Sequence, residues 1–180
     1  IAWQGPPDAL TLRATHLAFA LILVFLTSGS LNTEGQRRTV NIESFILIAL
    51  SIVACAYLVL YQDYIVSRMT YVDPLNPIDL TFGVITILLV LEGTRRAVGW
   101  ALPITAVGFL TYALTIGGVD FQRVIEQMYM GTEGILGIPL YVSATYVMLF
   151  ILFGALVERT GTGALFMDFA MGLAGHSAGG

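Results

Sequence analysis

The stretch Ser44–Gln62 reads SFILIALSIVACAYLVLYQ, nineteen residues without a charged side chain. The hydrocarbon core of a bilayer is about 30 Å thick and is crossed by about 20 apolar residues in an α-helix. This stretch therefore predicts a transmembrane helix, and similar runs recur on both sides of it. We expect an all-α integral membrane protein.

The composition of the 180-residue chain indicates the same class. Hydrophobic residues make up 57% and charged residues 11%, whereas soluble domains usually carry about 25% charge. The mean hydropathy is +0.83. Twelve acidic residues outnumber eight arginines, lysine is absent, and the sequence has no basic patch for nucleic acid. These features argue against a soluble enzyme or a nucleic-acid-binding protein.

Five transmembrane spans are predicted from the runs that lack Asp, Glu, Lys and Arg. They cover approximately residues 10–29, 43–62, 78–94, 97–117 and 137–158. A helix in the plane of the membrane interface is predicted near 119–130, because apolar residues recur there at helical spacing. Its expected apolar face consists of Phe121, Val124, Ile125 and Met128. A partial helix is expected near 162–174.

The third span has a short uncharged core, because Leu80–Leu91 is only about 18 Å long as a helix. We expect Asp79 and Glu92 to lie at the two membrane interfaces. The segment 92–96 is predicted to be a tight hairpin connection to the fourth span. If it is helical instead, Glu92, Arg95 and Arg96 are spaced to form a local ion pair and a cytoplasmic anchor. A contact with substrate is the alternative for these three residues.

The distribution of arginines predicts how the spans are oriented. One predicted side carries Arg13, Arg68 and Arg123, and the other carries Arg37, Arg38, Arg95, Arg96 and Arg159. The richer side is expected to be cytoplasmic, which places Ile1 on the outer side. Because the chain starts at Ile1 and stops at Gly180 inside an amphipathic stretch, we expect an internal fragment of a longer protein.

The sequence contains no pattern for catalysis or metal binding. Two distant histidines and one cysteine cannot form a metal site, and no Ser, His and Asp are spaced for nucleophilic catalysis. We therefore expect no enzymatic activity, no cofactor and no metal site. Arg13 and His16 share a helical face at the start of the first span. An anchor in the headgroup region is favoured there over a proton or anion contact.

Glycines before the fifth span predict an abrupt turn. Gly131, Gly134 and Gly137 permit it, and Pro139 suits the first turn of the helix that follows. Ordinary helix packing is the alternative interpretation. The candidate structural or interface residues are Glu92, Arg95, Arg96, Glu133, Gly134, Gly137, Pro139, Glu158 and Arg159.

The segment Gly131–Gly161, GTEGILGIPLYVSATYVMLFILFGALVERTG, resembles the start of the large membrane subunit of tripartite ATP-independent periplasmic (TRAP) transporters. Upstream, Arg13–Leu26 (RATHLAFALILVFL) and Leu89–Ile104 (LVLEGTRRAVGWALPI) resemble the small-subunit region of the fused, TAXI-type permeases. The resemblance covers nearly the whole chain. It implies a small-subunit-like four-helix region at 1–117, an interfacial linker at 118–136 and the start of the large transport domain at 137–180.

The resemblance implies a permease component of a secondary transporter in the cytoplasmic (inner) membrane of a bacterium or archaeon. A periplasmic binding protein would deliver an organic anion, often a carboxylate, and an ion gradient, usually sodium, would drive import. The substrate and sodium sites are expected beyond Gly180. The expected partners are the binding protein, the remainder of the large membrane domain and the lipid bilayer, without nucleic acid. The alternative is a non-transporting membrane scaffold or assembly subunit.

Overall fold

The computed structural model describes residues 8–27 and 42–174, and every regular element in these ranges is helical. The helices are α1 (Ala9–Thr27), α2 (Ile42–Leu60), α3 (Gln62–Ser67), α4 (Pro77–Val98), α5 (Ala101–Thr115), α6 (Phe121–Ile125), α7 (Ile138–Val142), α8 (Met148–Arg159) and α9 (Thr162–Ala174). Two π-helical turns, π1 (Glu126–Met130) and π2 (Ser143–Val147), follow α6 and α7. The predicted all-α class is confirmed.

Within the described residues, four helices are long and apolar enough to cross a bilayer. They are Ala9–Thr27, Ile42–Leu60, Pro77–Val98 and the continuous helix Ile138–Arg159, which comprises α7, π2 and α8. They correspond to the first, second, third and fifth predicted spans. Helix α5 is also apolar but has only 15 residues. It is about 22 Å long, shorter than the hydrocarbon core.

Helix α4 is longer, and α5 shorter, than the uncharged runs predict. Helix α4 continues through the charged segment 92–96 to Val98 and ends at Gly99, which has a φ of 100°. The predicted hairpin connection within 92–96 is therefore wrong. Charged side chains end an apolar run but do not end a helix, because glutamate and arginine are good helix formers. Glycine ends it because it adopts a positive φ without a steric penalty.

The chain divides into two compact units between Tyr141 and Val142. In the first unit, α1, α2 and α4 pack against one another. Helix α1 contributes one buried stripe at spacings of three and four residues, which consists of Leu10, Ala14, Leu17, Leu21 and Phe25. Buried partners from the other two helices include Cys55, Leu58 and Leu89. These residues form the apolar core of the first unit.

The segment formed by α6 and π1 packs on α4 at Gly83. A Cβ atom added at Gly83 would overlap Cγ2 of Ile125 and lie 3.5 Å from Cβ of Tyr129. The hydroxyl of Tyr129 also donates a hydrogen bond to the carbonyl oxygen of Ala54 in α2, at 2.7 Å. Glycine at position 83 therefore allows this segment to approach α4 closely and to reach α2.

The predicted helix near 119–130 is present, but its buried face differs from the predicted one. Phe121 is 49% exposed, whereas Glu126, Tyr129 and Met130 are buried with Val124 and Ile125. The π turn contributes to the burial of Tyr129 and Met130, because its i→i+5 hydrogen bonds shift the register of the following side chains by about one residue. That this segment lies in the membrane interface stays a prediction.

The helix ends of the first unit form two groups. At one end, which we call the Arg13 end, Arg13 of α1 donates a hydrogen bond to the carbonyl of Leu136. At the other, the Glu92 end, Arg96 of α4 donates to the hydroxyl of Ser44 in α2. Which end faces the cytoplasm stays a prediction. The predictions for Ile1, Arg37, Arg38 and Gly180 lie outside the described residues.

The second unit begins at Val142 and contains π2, α8 and α9. Helices α8 and α9 contact each other around Gly161, which has a φ of 73°. Helix α9 spans Thr162–Ala174, in agreement with the predicted partial helix. Large apolar side chains of both helices are exposed in this unit, which is typical of surfaces that face lipid or further protein.

Candidate functional site

Four residues at the Arg13 end form a polar group around a buried acid. We call it the Asp79 cluster, namely Tyr57, Tyr64, Asn76 and Asp79. Asp79 is fully buried in the first turn of α4. The hydroxyl of Tyr57 donates to its Oδ1 at 2.6 Å, and that of Tyr64 donates to its Oδ2 at 3.2 Å. The backbone N–H of Asn76 donates to Oδ2 at 3.2 Å. Both carboxylate oxygens thus have donors, as a buried acid requires.

The position of Asp79 near the end of α4 agrees with the sequence, but its burial does not. Its carboxylate points into the bundle. That this end of α4 lies at a membrane interface stays a prediction. The missed signal is the order Asn76-Pro77-Ile78-Asp79, which matches a helix start with an N-cap, a proline at N1 and an acid at N3. Burial and the nearby Asp79 carboxylate raise the pKa of the Tyr64 hydroxyl, so it stays protonated and able to donate.

A buried ion pair connects the loop before α4 to π1. Arg68 Nη2 lies 3.5 Å from Glu126 Oε1, and each side chain is only 7% exposed. Glu126 also accepts the backbone N–H of Tyr71 at 3.2 Å, and Arg68 donates to the carbonyl of Asp73 at 2.7 Å. The hydroxyl of Tyr71 donates to the side chain of Gln127. The sequence prediction missed Glu126, although a lone acid within VIEQMYM was a detectable signal.

The predicted glycine turn lies tightly against π1, and we call residues 131–137 the Gly134 turn. A Cβ atom at Gly134 would lie 2.5 Å from Cα of Met128 and closer still to the carbonyl oxygen of Gln127. A Cβ atom at Gly137 would lie 2.8 Å from the carbonyl oxygen of Gly134. Pro139 follows in the first turn of α7, as predicted. The glycines are therefore required by close approach of the backbone.

Arg13 of α1 holds the Gly134 turn. Its Nη1 donates to the carbonyl oxygens of Thr132 at 3.0 Å and Leu136 at 2.7 Å. Its guanidinium lies 5.0 Å from the ring centroid of Tyr141, and its Nε is buried without a hydrogen-bond acceptor. Carbonyls in a turn lack helical partners and accept such bonds readily. The sequence prediction of a headgroup anchor is therefore corrected, since Arg13 binds the protein itself.

We expect Arg13→Ala to loosen the Gly134 turn without unfolding the helical bundle. Hydrogen bonds from a charged donor contribute about 1.5–3 kcal/mol each, so backbone amides at Ile135 and Gly137 should exchange at least about tenfold faster with deuterium. Mass spectrometry of the exchanged protein measures this. Arg123→Ala, which removes an exposed arginine of α6, is the control. An equal acceleration throughout α2 would contradict a local role for Arg13.

The Glu92 end carries the predicted ion pair, and we call Glu92, Arg95 and Arg96 the Glu92 triad. Arg95 donates from Nε and Nη2 to the two oxygens of Glu92, both at 2.7 Å. Arg96 Nε donates to Glu92 Oε1 at 2.6 Å, and its Nη1 donates to Ser44 Oγ at 3.1 Å. The guanidinium of Arg96 lies 5.5 Å from the ring centroid of Phe25. The triad thus connects α4 to α2 and α1.

Of the remaining candidates, Glu133 lies within the Gly134 turn, and Glu158 and Arg159 lie in the second unit. Glu133 accepts a long hydrogen bond from the amide of Gln127 at 3.4 Å. Glu158 and Arg159 are exposed at the end of α8. Across residues 8–27 and 42–174, no three His, Cys, Asp or Glu side chains are assembled to hold a metal ion. The structure therefore places the predicted residues in the Glu92 triad, around the Gly134 turn and at the end of α8.

Comparison with protein families gives a match over the second half of the chain. Residues 85–180, more than half of the chain, match the family model described as "Tripartite ATP-independent periplasmic transporter, DctM component". The match begins inside α4 and includes the Glu92 triad, the Gly134 turn and the second unit. Comparisons with curated proteins and with solved structures gave no match. The chain is a multi-pass membrane protein, and it belongs to the DctM component family of tripartite ATP-independent periplasmic transporters.

Proposed function

We propose that the chain is part of a TRAP permease that imports organic anions, carboxylates in particular, across a bacterial or archaeal inner membrane. The match of residues 85–180 to the DctM family model carries this proposal. A periplasmic binding protein of the TAXI type delivers the anion, and a sodium gradient drives its uptake. The resemblance of Arg13–Leu26 and Leu89–Ile104 to fused permeases supports the TAXI assignment.

We propose a static role for the first unit and a moving role for the helix Ile138–Arg159. In the first unit, α2 is connected by polar contacts to α4, through Tyr57 and Asp79, and to π1, through the Tyr129–Ala54 hydrogen bond. Satisfied buried polar groups fix one arrangement of helices, which suits a static scaffold. Transporters bind solute at discontinuous helices. Ile138–Arg159 is continuous through π2, and the solute site is expected beyond Gly180. This helix is proposed to begin the moving transport domain.

Uptake by the intact transporter in sealed vesicles tests the proposal. A panel of radiolabelled carboxylates is supplied with the binding protein, under an inward sodium gradient. Uptake of at least one carboxylate is expected, falling to background without the binding protein or when potassium replaces sodium. Uptake driven by protons alone would contradict sodium coupling. A folded transporter that takes up no organic anion would favour the alternative.

The alternative function is a membrane scaffold that assembles a transporter without carrying solute. The scaffold function is favoured by the two buried acids of the first unit. Asp79 and Glu126 already have protein partners, so neither is free to bind solute. A scaffold would copurify with its partner subunits, yet its point variants would alter the amount of complex and not its affinity for substrate. Measuring both quantities for the same variants separates the two functions.

A further inference from the structure

A long apolar groove lies between α2, α4 and α5 and ends at the Glu92 triad. Its volume is about 480 Å³. The walls are formed mainly by Leu47, Leu50, Ile85, Leu88, Pro103 and Val107. From Ile85 to Arg95 the groove follows about 15 Å of α4. Its side along α5 is loosely packed, since Pro103 is the only residue of α5 that is buried.

The mouth of the groove is formed by Glu92, Arg95 and Trp100. Glu92 is shared by Arg95 and Arg96, so the triad keeps a formal charge of +1. Arg96 is turned toward Ser44, whereas the Arg95 side chain is 34% exposed. Its guanidinium lies 5.1 Å from the ring centroid of Trp100, a residue that is itself 63% exposed. Arg95 is therefore the accessible cation at the mouth.

The order of these groups along α4 matches the parts of a phospholipid. Arg95 lies in the last turn of α4, three residues before its end at Val98, where arginine reaches the headgroups. Tryptophan is enriched at the same level, and basic pockets between transmembrane helices bind anionic headgroups. Below Arg95 the groove is apolar over about 15 Å, which suits a hydrocarbon chain and excludes a polar solute.

We propose that this groove binds an anionic phospholipid, with one acyl chain along α4 and the phosphate against Arg95. The bound chain fills the space between α4 and the first half of α5. The proposal does not depend on the substrate or the coupling ion of the transporter. If a protein helix occupied the groove instead of a lipid, it would have to place a carboxylate beside Arg95 to pair with its charge.

Native mass spectrometry of the intact transporter tests this proposal. The detergent-purified protein is incubated with phosphatidylglycerol or with phosphatidylcholine of the same acyl chains, and retained lipid is counted. We expect at least fivefold more phosphatidylglycerol than phosphatidylcholine. Arg95→Gln should abolish this preference, whereas Arg95→Lys, which keeps the charge, should retain most of it.

A second variant tests the groove without changing the triad. Val107→Phe places a ring in the groove and should lower retention of both lipids at least fivefold. Ile104→Phe, on the same helix but outside the groove, is the matched control and should retain lipid as the unchanged protein does. Equal retention by Val107→Phe and Ile104→Phe would overturn the proposal. So would the absence of retained lipid in the unchanged protein, which is the result expected if polypeptide covers the groove.

Discussion

Replacing Gly134 with alanine is expected to destabilise the fold by about 3 kcal/mol or more. The added Cβ would lie 2.5 Å from Cα of Met128 and closer still to the carbonyl oxygen of Gln127. Both are backbone atoms of π1, so no side-chain rotation relieves the overlap. The turn has to open, and the helix that begins at Ile138 then loses its fixed starting point.

Thermal unfolding of the purified protein in detergent measures this effect, together with the yield of monodisperse protein. Gly108→Ala is the matched control, because a Cβ atom there meets nothing within 4 Å. That variant lies inside α5 and should be neutral or stabilised by up to about 1 kcal/mol.

In a functional transporter, bulky residues at both Gly134 and Gly137 should impair assembly or movement more than substrate binding. An unchanged melting temperature for Gly134→Ala would show that the turn tolerates a side chain.

Replacing Asp79 with alanine is expected to cost about 2–3 kcal/mol. The change leaves the hydroxyls of Tyr57 and Tyr64 and the backbone N–H of Asn76 without their acceptor. The two tyrosines are half-buried and Asn76 is exposed, so each donor incurs only part of the penalty of about 1–3 kcal/mol that an unsatisfied buried donor costs. The start of α4 should loosen first, because the same carboxylate caps that helix.

A double-mutant cycle separates this network from a general effect of losing a charge. Tyr57→Phe alone should cost about 1–2 kcal/mol. Combined with Asp79→Ala it should add much less than that, since the two groups share one hydrogen bond. Asp63→Ala removes an exposed acid from α3 and should change stability by less than about 0.5 kcal/mol. Strictly additive losses would show that Tyr57 and Asp79 stabilise the protein independently.

The sequence predicts the number and order of the apolar helices well, because the bilayer requires a run of fixed length. It predicts their ends poorly where charged residues continue a helix, as in α4 beyond Leu91. The buried acids were missed for a different reason. Tyr57 and Asp79 are separated by 22 positions, so their contact depends on how α2 packs against α4. A local pattern does not contain that information.

The glycine turn was predicted in part. The sequence identifies Gly134 and Gly137 as permissive residues before a helix that starts near Pro139. It does not reveal that the backbone of π1 approaches Gly134 so closely, because π1 itself was not predicted. A π turn has no simple hydropathy period, and its effect on the register of Glu126 and Met130 is visible only in three dimensions.

The contact between Arg13 and the Gly134 turn also sets an order of events during synthesis. The two carbonyl acceptors lie 119 and 123 positions after Arg13. At a ribosomal rate of about 5–20 residues per second, roughly 6–25 seconds pass between the synthesis of Arg13 and the synthesis of its two acceptors. During that time its guanidinium is within reach of lipid headgroups, which is the environment that the sequence around Arg13 predicts. The finished contact then closes a loop of more than a hundred residues, and such distant contacts form late and slowly.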